Sequence, residues 1–213
     1  IVGESGCGKS TLAKALMALE ERTQGSIKIE DQNIDALSKS DFKSAIQMIF
    51  QDPYSSLNPR KKAWQLISEP LLINTKLSKK DCFARACELM EKVGLRPEMA
   101  QRYPHMFSGG QRQRLGIARA LALHPKILIC DEPVSALDVS IQAQVLNLLM
   151  NLQDEMGLTY LFISHDLHVV NHISDDILVM YLGKIVEYGP RSKVFDNSLH
   201  PYTKALIASS PSV

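Results

Sequence analysis

The chain lacks a charge imbalance: 24 Lys and Arg face 23 Asp and Glu, for a formal net charge of +1. No field-driven attraction to nucleic acid follows from such a balance. It also lacks any apolar run near the ~18–20 residues that a membrane helix needs, so membrane association is expected to go through a partner protein. The four cysteines, Cys7, Cys82, Cys87 and Cys130, form no CxxC pair and have no histidine-rich neighbour at ligand spacing. They suggest neither a disulfide framework nor a zinc site, but thiols in a reducing compartment. Internal repeats and low-complexity tracts are absent as well.

At 213 residues, with 45% hydrophobic and 22% charged, the chain has enough material for one sizeable core and a second small subdomain. Ile1-Val2 looks like the end of a buried strand whose beginning lies outside the chain, because the glycine-rich loop that follows needs a strand before it. Leu12, Leu16 and Leu19 recur at helical spacing and predict a helix over residues 10–22. Residues 26–30 alternate as a strand does, and 45–50 form a mostly apolar run fit for a buried strand. From Asp52 the composition changes: Asp52-Pro53, Asn58-Pro59 and Glu69-Pro70 punctuate a loop-rich stretch that passes into helices at 84–93 and 109–123. Residues 53–124 thus read as an all-helical insertion. Strands at 127–130 and 160–163 flank a long helix at 139–155, and 177–181 with 184–187 read as a hairpin across Leu182-Gly183. Strands alternating with helices imply an α/β fold with a mostly parallel sheet, whose ligands bind at the carboxyl ends of the strands.

Two motifs fall at such ends. Gly3-Glu4-Ser5-Gly6-Cys7-Gly8-Lys9-Ser10, followed by Thr11, fits G-x-x-x-x-G-K-[ST]. Its glycines let the backbone turn N–H groups onto phosphate oxygens. Lys9 would add charge at the β- and γ-phosphates, Ser10 would ligate Mg²⁺, and the helix start adds its positive dipole end. Cys7 lies among these N–H groups, so thiol reagents there would block nucleotide binding; a filler at a permissive loop position is the blander account. The second motif is the apolar run ending in Asp131-Glu132. The first carboxylate could hold Mg²⁺ and the second polarise the attacking water as general base. Together the motifs specify a P-loop NTPase with a RecA-like core.

Phe107-Ser108-Gly109-Gly110-Gln111 opens a helix with Ser108 as the expected N-cap, and two glycines strip side chains from what becomes a second anion site. This run resembles the LSGGQ signature of ABC ATPases, with Phe107 in place of Leu. In that family the signature of one subunit caps the γ-phosphate held by the other, so ATP joins a head-to-tail dimer. The resemblance implies that Ser108, Gly110 and Gln111 serve a partner's nucleotide. Gln51 resembles the Q-loop glutamine that senses Mg²⁺ and attacking water. Ser135-Ala136-Leu137-Asp138 resembles the D-loop, with Asp138 at the dimer interface, and His165 resembles the switch histidine at the γ-phosphate. His165, His168 and His172, spaced three and four apart, stack on one helix face, but no closed donor set for zinc is visible.

A finer resemblance covers nearly the whole chain. The run from Gln51 through Asn58-Pro59-Arg60, and His200-Pro201-Tyr202-Thr203-Lys204-Ala205-Leu206, look like the ATPase subunits of dipeptide/oligopeptide importers, a group shared with nickel and glutathione importers. Arg102-Tyr103-Pro104-His105 most resembles the F-type member of a two-ATPase pair. The resemblance implies ATP and Mg²⁺ as cofactors, two permease subunits, a sister ATPase, indirectly a solute-binding protein, no nucleic acid, and a peripheral place on the cytoplasmic face of the inner membrane. The aromatic residue that stacks on adenine in the family would precede the phosphate loop and is not in the chain. Family members also run past Val213, some with a cysteine cluster for an iron–sulfur centre. The alternative is a soluble ABC ATPase acting on DNA or ribosomes. DNA-repair members, however, insert a coiled coil between Q-loop and signature, and no sustained heptads occur here. The expected organisation is a nucleotide-binding core at 1–52 and 125–213, its first strands missing, around a helical subdomain at 53–124.

Overall fold

The computed structural model describes residues 1–209. In chain order the elements are α1 (Lys9–Leu16), β1 (Lys28–Ile29), β2 (Gln32–Asn33), α2 (Lys39–Ala45), β3 (Ile46–Ile49), α3 (Pro53–Ser56), α4 (Ala63–Asn74), α5 (Lys79–Lys92) and α6 (Gly109–Leu121). Then follow β4 (Ile127–Asp131), α7 (Val139–Met156), β5 (Thr159–Ile163), α8 (Leu167–Ile173), β6 (Asp176–Tyr181), β7 (Lys184–Pro190), α9 (Arg191–Asp196) and α10 (Pro201–Ala208). The chain divides into two compact units, 1–23 with 161–213, and 24–160.

In the first unit the backbone of Val2 runs parallel to β6, its amide on Leu178 O at 2.9 Å and its carbonyl taken by Met180 N at 2.8 Å. Hairpin β6–β7 turns through Leu182 (φ 47°) and Gly183 (φ 76°), the paired positive φ that suits the right-handed twist of its strands. Val2, Leu167, Val170, Ile177, Val179 and Val194 form the core, with Tyr202 and Leu206 of α10 packed against it. Helix α1 ends at Leu16 rather than near Arg22. Ala18 turns left-handed at φ 52°, Leu19 N returns to Lys14 O at 2.9 Å, and Leu19 is 60% exposed. The apolar spacing persists there, but nothing packs on it to hold a further turn.

In the second unit β3 and β4 pair in parallel, from Ile46↔Ile127 to Ile49↔Cys130, and β5 begins beside them with Thr159 N on Lys126 O at 2.9 Å. The strand read at 26–30 is a two-residue strand that pairs antiparallel with β2. Helices α4, α5 and α6 pack on one another through buried Leu66, Ile67, Leu89, Met90, Leu115 and Leu121. Pro70, read as loop punctuation, stands inside α4. The apolar side chains of Leu66, Ile67 and Leu71 are buried on that helix, and their burial, about 1.5–3 kcal/mol each, outweighs the ~3 kcal/mol proline cost. Among the described residues no helix is long and apolar enough to cross a membrane.

Candidate functional site

The phosphate loop sits in the first unit. Gly8 caps α1 at φ 102° and Gly3 stands at φ 152°. A Cβ on Gly3 would lie 2.3 Å from Met180 O and 2.8 Å from Cys7 Sγ, so the loop approaches β6 as only glycine allows. Lys9 is 6% exposed, and its ammonium donates to Gly3 O at 2.8 Å and Glu4 O at 2.9 Å, with Cys7 Sγ at 3.8 Å. Glu4, Ser5, Gly6, Ser10 and Thr11 are exposed along the loop, while Cys7 is buried. The loop is braced from outside itself: Gly183 N donates to Cys7 O at 3.0 Å, and Glu4 N to the Tyr202 hydroxyl at 2.9 Å.

His165, also in this unit, is exposed and follows the end of β5. Helix α8 starts only at Leu167, with Asp166 as its N-cap accepting from the amides of His168 and Val169. His165 therefore stands before the helix, and only His168 and His172 share its face. The three-histidine stack is corrected on that point.

The second unit holds the carboxylates. Asp131 ends β4 and is 7% exposed. Glu132 leaves the strand at φ 45° and is half-buried. Gln51 Nε2 donates to Glu132 Oε2 at 3.1 Å. The strand register dictates this meeting: Ile49 lies opposite Cys130, and two residues further along each strand stand Gln51 and Glu132. Beyond Glu132 the chain turns at once, with the Ser135 amide (3.3 Å) and hydroxyl (3.0 Å) both on Glu132 O.

The signature run lies in this unit too. Ser108 caps α6 in a closed capping box, with Gln111 N on Ser108 Oγ at 3.3 Å and Ser108 N on Gln111 Oε1 at 3.0 Å. Such a box ties up two of the amides a helix start leaves over. Gly110 faces α7, where an added Cβ would lie 2.5 Å from Ile141 Cγ2. Asp138 caps α7 without a side-chain cap hydrogen bond. The segment before it is held by Gln142, whose amide donates to Val134 O and Leu137 O, each at 3.0 Å.

Two supporting residues carry no sequence signal that ties them to the site. Gln142 is one polar residue among several on a long helix. Tyr202 stands in the His200-Pro201-Tyr202 run, but nothing local connects that run with Glu4, 198 residues away. Register or a three-dimensional contact is the only signal that finds either.

Comparison with known proteins gives two family matches: one described as ABC transporter over residues 1–135, and one described as oligopeptide/dipeptide transporter, C-terminal region, over 186–213. The chain is 57% identical to the di/tripeptide transport ATP-binding protein DppF of Pseudomonas aeruginosa, over 100% of this chain and 67% of that protein. It is 56% identical to the dipeptide transport ATP-binding protein DppF of Haemophilus influenzae, over 99% of this chain and 65% of the relative. The chain thus spans about two thirds of the length of the relatives it matches. Among solved structures, the dimeric ATP-binding cassette MJ0796 in a post-hydrolysis state with ADP and Pi superposes with a TM-score of 0.77 at 29% identity. That match covers 89% of this chain and 83% of the other. The fold is accordingly the P-loop, RecA-like α/β fold of ABC ATPase domains.

Proposed function

This chain belongs to the ABC transporter family and carries the C-terminal region of its oligopeptide/dipeptide transporters, and from that premise we propose that it hydrolyses ATP to power an importer of di- or oligopeptides or a related small solute. The observation that carries the catalytic part is the Gln51–Glu132 hydrogen bond at 3.1 Å, at the carboxyl ends of two paired parallel strands, where α/β sheets place their ligands. The peptide class rests on the relatives' names and on the C-terminal region. Those names do not favour the DNA- or ribosome-acting alternative.

In this reading Gly3, Glu4, Ser5, Gly6, Cys7, Gly8, Lys9, Ser10 and Thr11 hold the phosphates, with Lys9 as the point charge. Glu132 takes the proton of the attacking water, Gln51 orients that water, and His165 stabilises the γ-phosphate as charge builds on it. Ser10, Gln51 and Asp131 would hold Mg²⁺: all three offer hard oxygen donors, and the Asp131 carboxylate is buried, which suits that ion. Bound there, Mg²⁺ would neutralise charge on the β- and γ-phosphate oxygens. Ser108, Gly110, Gln111 and Asp138 serve the nucleotide and interface of a paired subunit in a head-to-tail dimer. The core comprises 1–52 and 125–213 and the helical subdomain 53–124. The partners are two permeases, a sister ATPase and, indirectly, a solute-binding protein, with the subunit peripheral on the cytoplasmic face of the inner membrane.

Glu132→Gln is the test. It should keep nucleotide binding and lower turnover by at least ~100-fold, the span of a general base; hydrolysis at the wild-type rate would remove Glu132 from that role. The same variant, trapped with ATP in its host, should co-purify with two permeases and a sister ATPase. Ribosomal or DNA-repair proteins without membrane subunits would leave the ATPase standing and end the transport reading.

A further inference from the structure

The phosphate loop is fixed at its entry by a side chain from the far end of the chain. Glu4 N donates to the Tyr202 hydroxyl at 2.9 Å, while Gly3 O accepts from the Lys9 ammonium at 2.8 Å. These two groups are the N–H and C=O of one peptide unit. Because a trans peptide is planar, its N–H and C=O point in opposite directions, so fixing one aims the other. Nothing on Gly3 itself resists rotation of this unit, since at φ 152° it has the freedom of a residue without Cβ.

The phenol is held by more than its own packing. Its ring lies against Tyr181, with centroids 4.3 Å apart and planes tilted by 36°. Helix α10 is docked by Glu187 of β7, whose carboxylate accepts from Leu199 N at 2.8 Å and His200 N at 3.1 Å. The His200 ring then accepts from Tyr202 N at 3.1 Å. Burial raises the Tyr202 pKa above its ordinary value; the hydrogen bond from the Glu4 amide works against that rise and the Glu4 charge adds to it, so the hydroxyl stays protonated at neutral pH.

We infer that Tyr202 is a positioning residue of the nucleotide site: its hydroxyl sets the Gly3–Glu4 peptide and, through it, the place of the Lys9 ammonium. The C-terminal segment that marks peptide transporters is then part of the phosphate-binding apparatus. Any change that moves α10 changes nucleotide affinity with it. This rests on the reading that the loop from Gly3 holds nucleotide phosphates.

Tyr202→Phe in the full-length protein keeps the ring stack and deletes only the acceptor. Losing one hydrogen bond of this kind corresponds to roughly a three- to tenfold weakening. The KM for MgATP and the Kd for ATP should therefore rise by about that factor, while kcat stays within about twofold and the nucleotide-free melting temperature holds. A packing role would instead lower the melting temperature and leave the affinity alone. A KM and Kd within twofold of wild type overturn the inference. The second measurement needs no variant: amide hydrogen exchange of wild type should show Glu4 N–H protected relative to Ser5 N–H, and equal exchange at the two overturns the inference as well. Lys9→Ala separates the premise from the inference. If Lys9→Ala abolishes binding and Tyr202→Phe changes nothing, the positioning role falls and the phosphate loop stands; if wild type itself binds no MgATP, the premise falls.

Discussion

Gly110→Ala separates a packing requirement from a nucleotide requirement in the signature run. The added methyl would lie 2.5 Å from Ile141 Cγ2, whereas unstrained carbons sit about 3.5–4.0 Å apart. Helices α6 and α7 must therefore open by about 1 Å or Ile141 must leave its rotamer. The Ile141 backbone cannot easily yield, because its amide bonds to Asp138 O at 2.9 Å at the start of α7. Overpacking of this kind costs about 1–3 kcal/mol, and alanine returns ~0.5–1 kcal/mol over glycine in a helix. The net expectation is a loss of about 1 kcal/mol and at most ~2.5 kcal/mol, read by urea denaturation without nucleotide. Ile141→Ala, at a half-buried site, should cost about 1–2 kcal/mol alone. It should also relieve the clash, so the double variant couples favourably by about 1–2 kcal/mol. Gly109→Ala is the internal control, since its Cβ would meet Leu137 Cδ2 at an ordinary 3.7 Å, and it should stay within about 0.5 kcal/mol of wild type. Additive losses in the double variant would refute the packing argument. Nucleotide-dependent pairing lost in Gly110→Ala and not restored by Ile141→Ala would then belong to the proposed anion site alone.

The phosphate-loop glycines should divide in the same way. Gly3→Ala meets the backbone oxygen of Met180 at 2.3 Å, while Gly6→Ala, at φ 81°, meets nothing within 4 Å. The first should cost more than about 3 kcal/mol in thermal unfolding and the second about 1–2 kcal/mol; equal losses would show that the approach to β6 is not tight. Acid should release α10. Burial acts to raise the Glu187 pKa but is outweighed by the Thr203 hydroxyl, the Leu199 and His200 amides and the His200 charge, so the carboxyl sits below its ordinary value. Its contribution is thus present above the ordinary carboxylate range, near pH ~4.3, and lost as pH falls through the lower folded value. Glu187→Gln should flatten the stability curve between about pH 5 and 3, and parallel curves for the two proteins would show that the carboxylate contributes nothing there.

Local chemistry explains what could be read from the sequence. The loop from Gly3 to Ser10 needs glycines at fixed spacing for its own backbone, and the Ser108 cap with Gln111 is a four-residue device. Both were visible without a fold. The end of α1 and the helical Pro70 were not, because each is decided by what packs against the segment rather than by the segment. In the sequence Gly110 leaves a helix start bare for an anion; in the fold it also faces Ile141, a contact made 31 residues away in sequence. Tyr202 could be noticed as part of a family run, but its target Glu4 is 198 residues distant.

The Gln51–Glu132 pair lies between these cases and shows what a sequence needs before it yields a site. Each residue stands at the end of an apolar run in the sequence, but nothing in either run says that they touch. Their separation of 81 residues is also that of every partner pair from Ile46↔Ile127 to Ile49↔Cys130. The contact is therefore the strand register carried two residues past the last paired position. Had β3 slipped by one residue, Gln51 would face Asp131, the buried carboxylate. A slip of that kind also turns each β3 side chain to the opposite face of the sheet. Ile46, Met48 and Ile49 are buried and Gln47 is half-buried, so such a slip would expose part of that apolar set. The core thereby selects which carboxylate the glutamine meets, and the placement of the Gln51–Glu132 pair follows from hydrophobic burial several residues away from it.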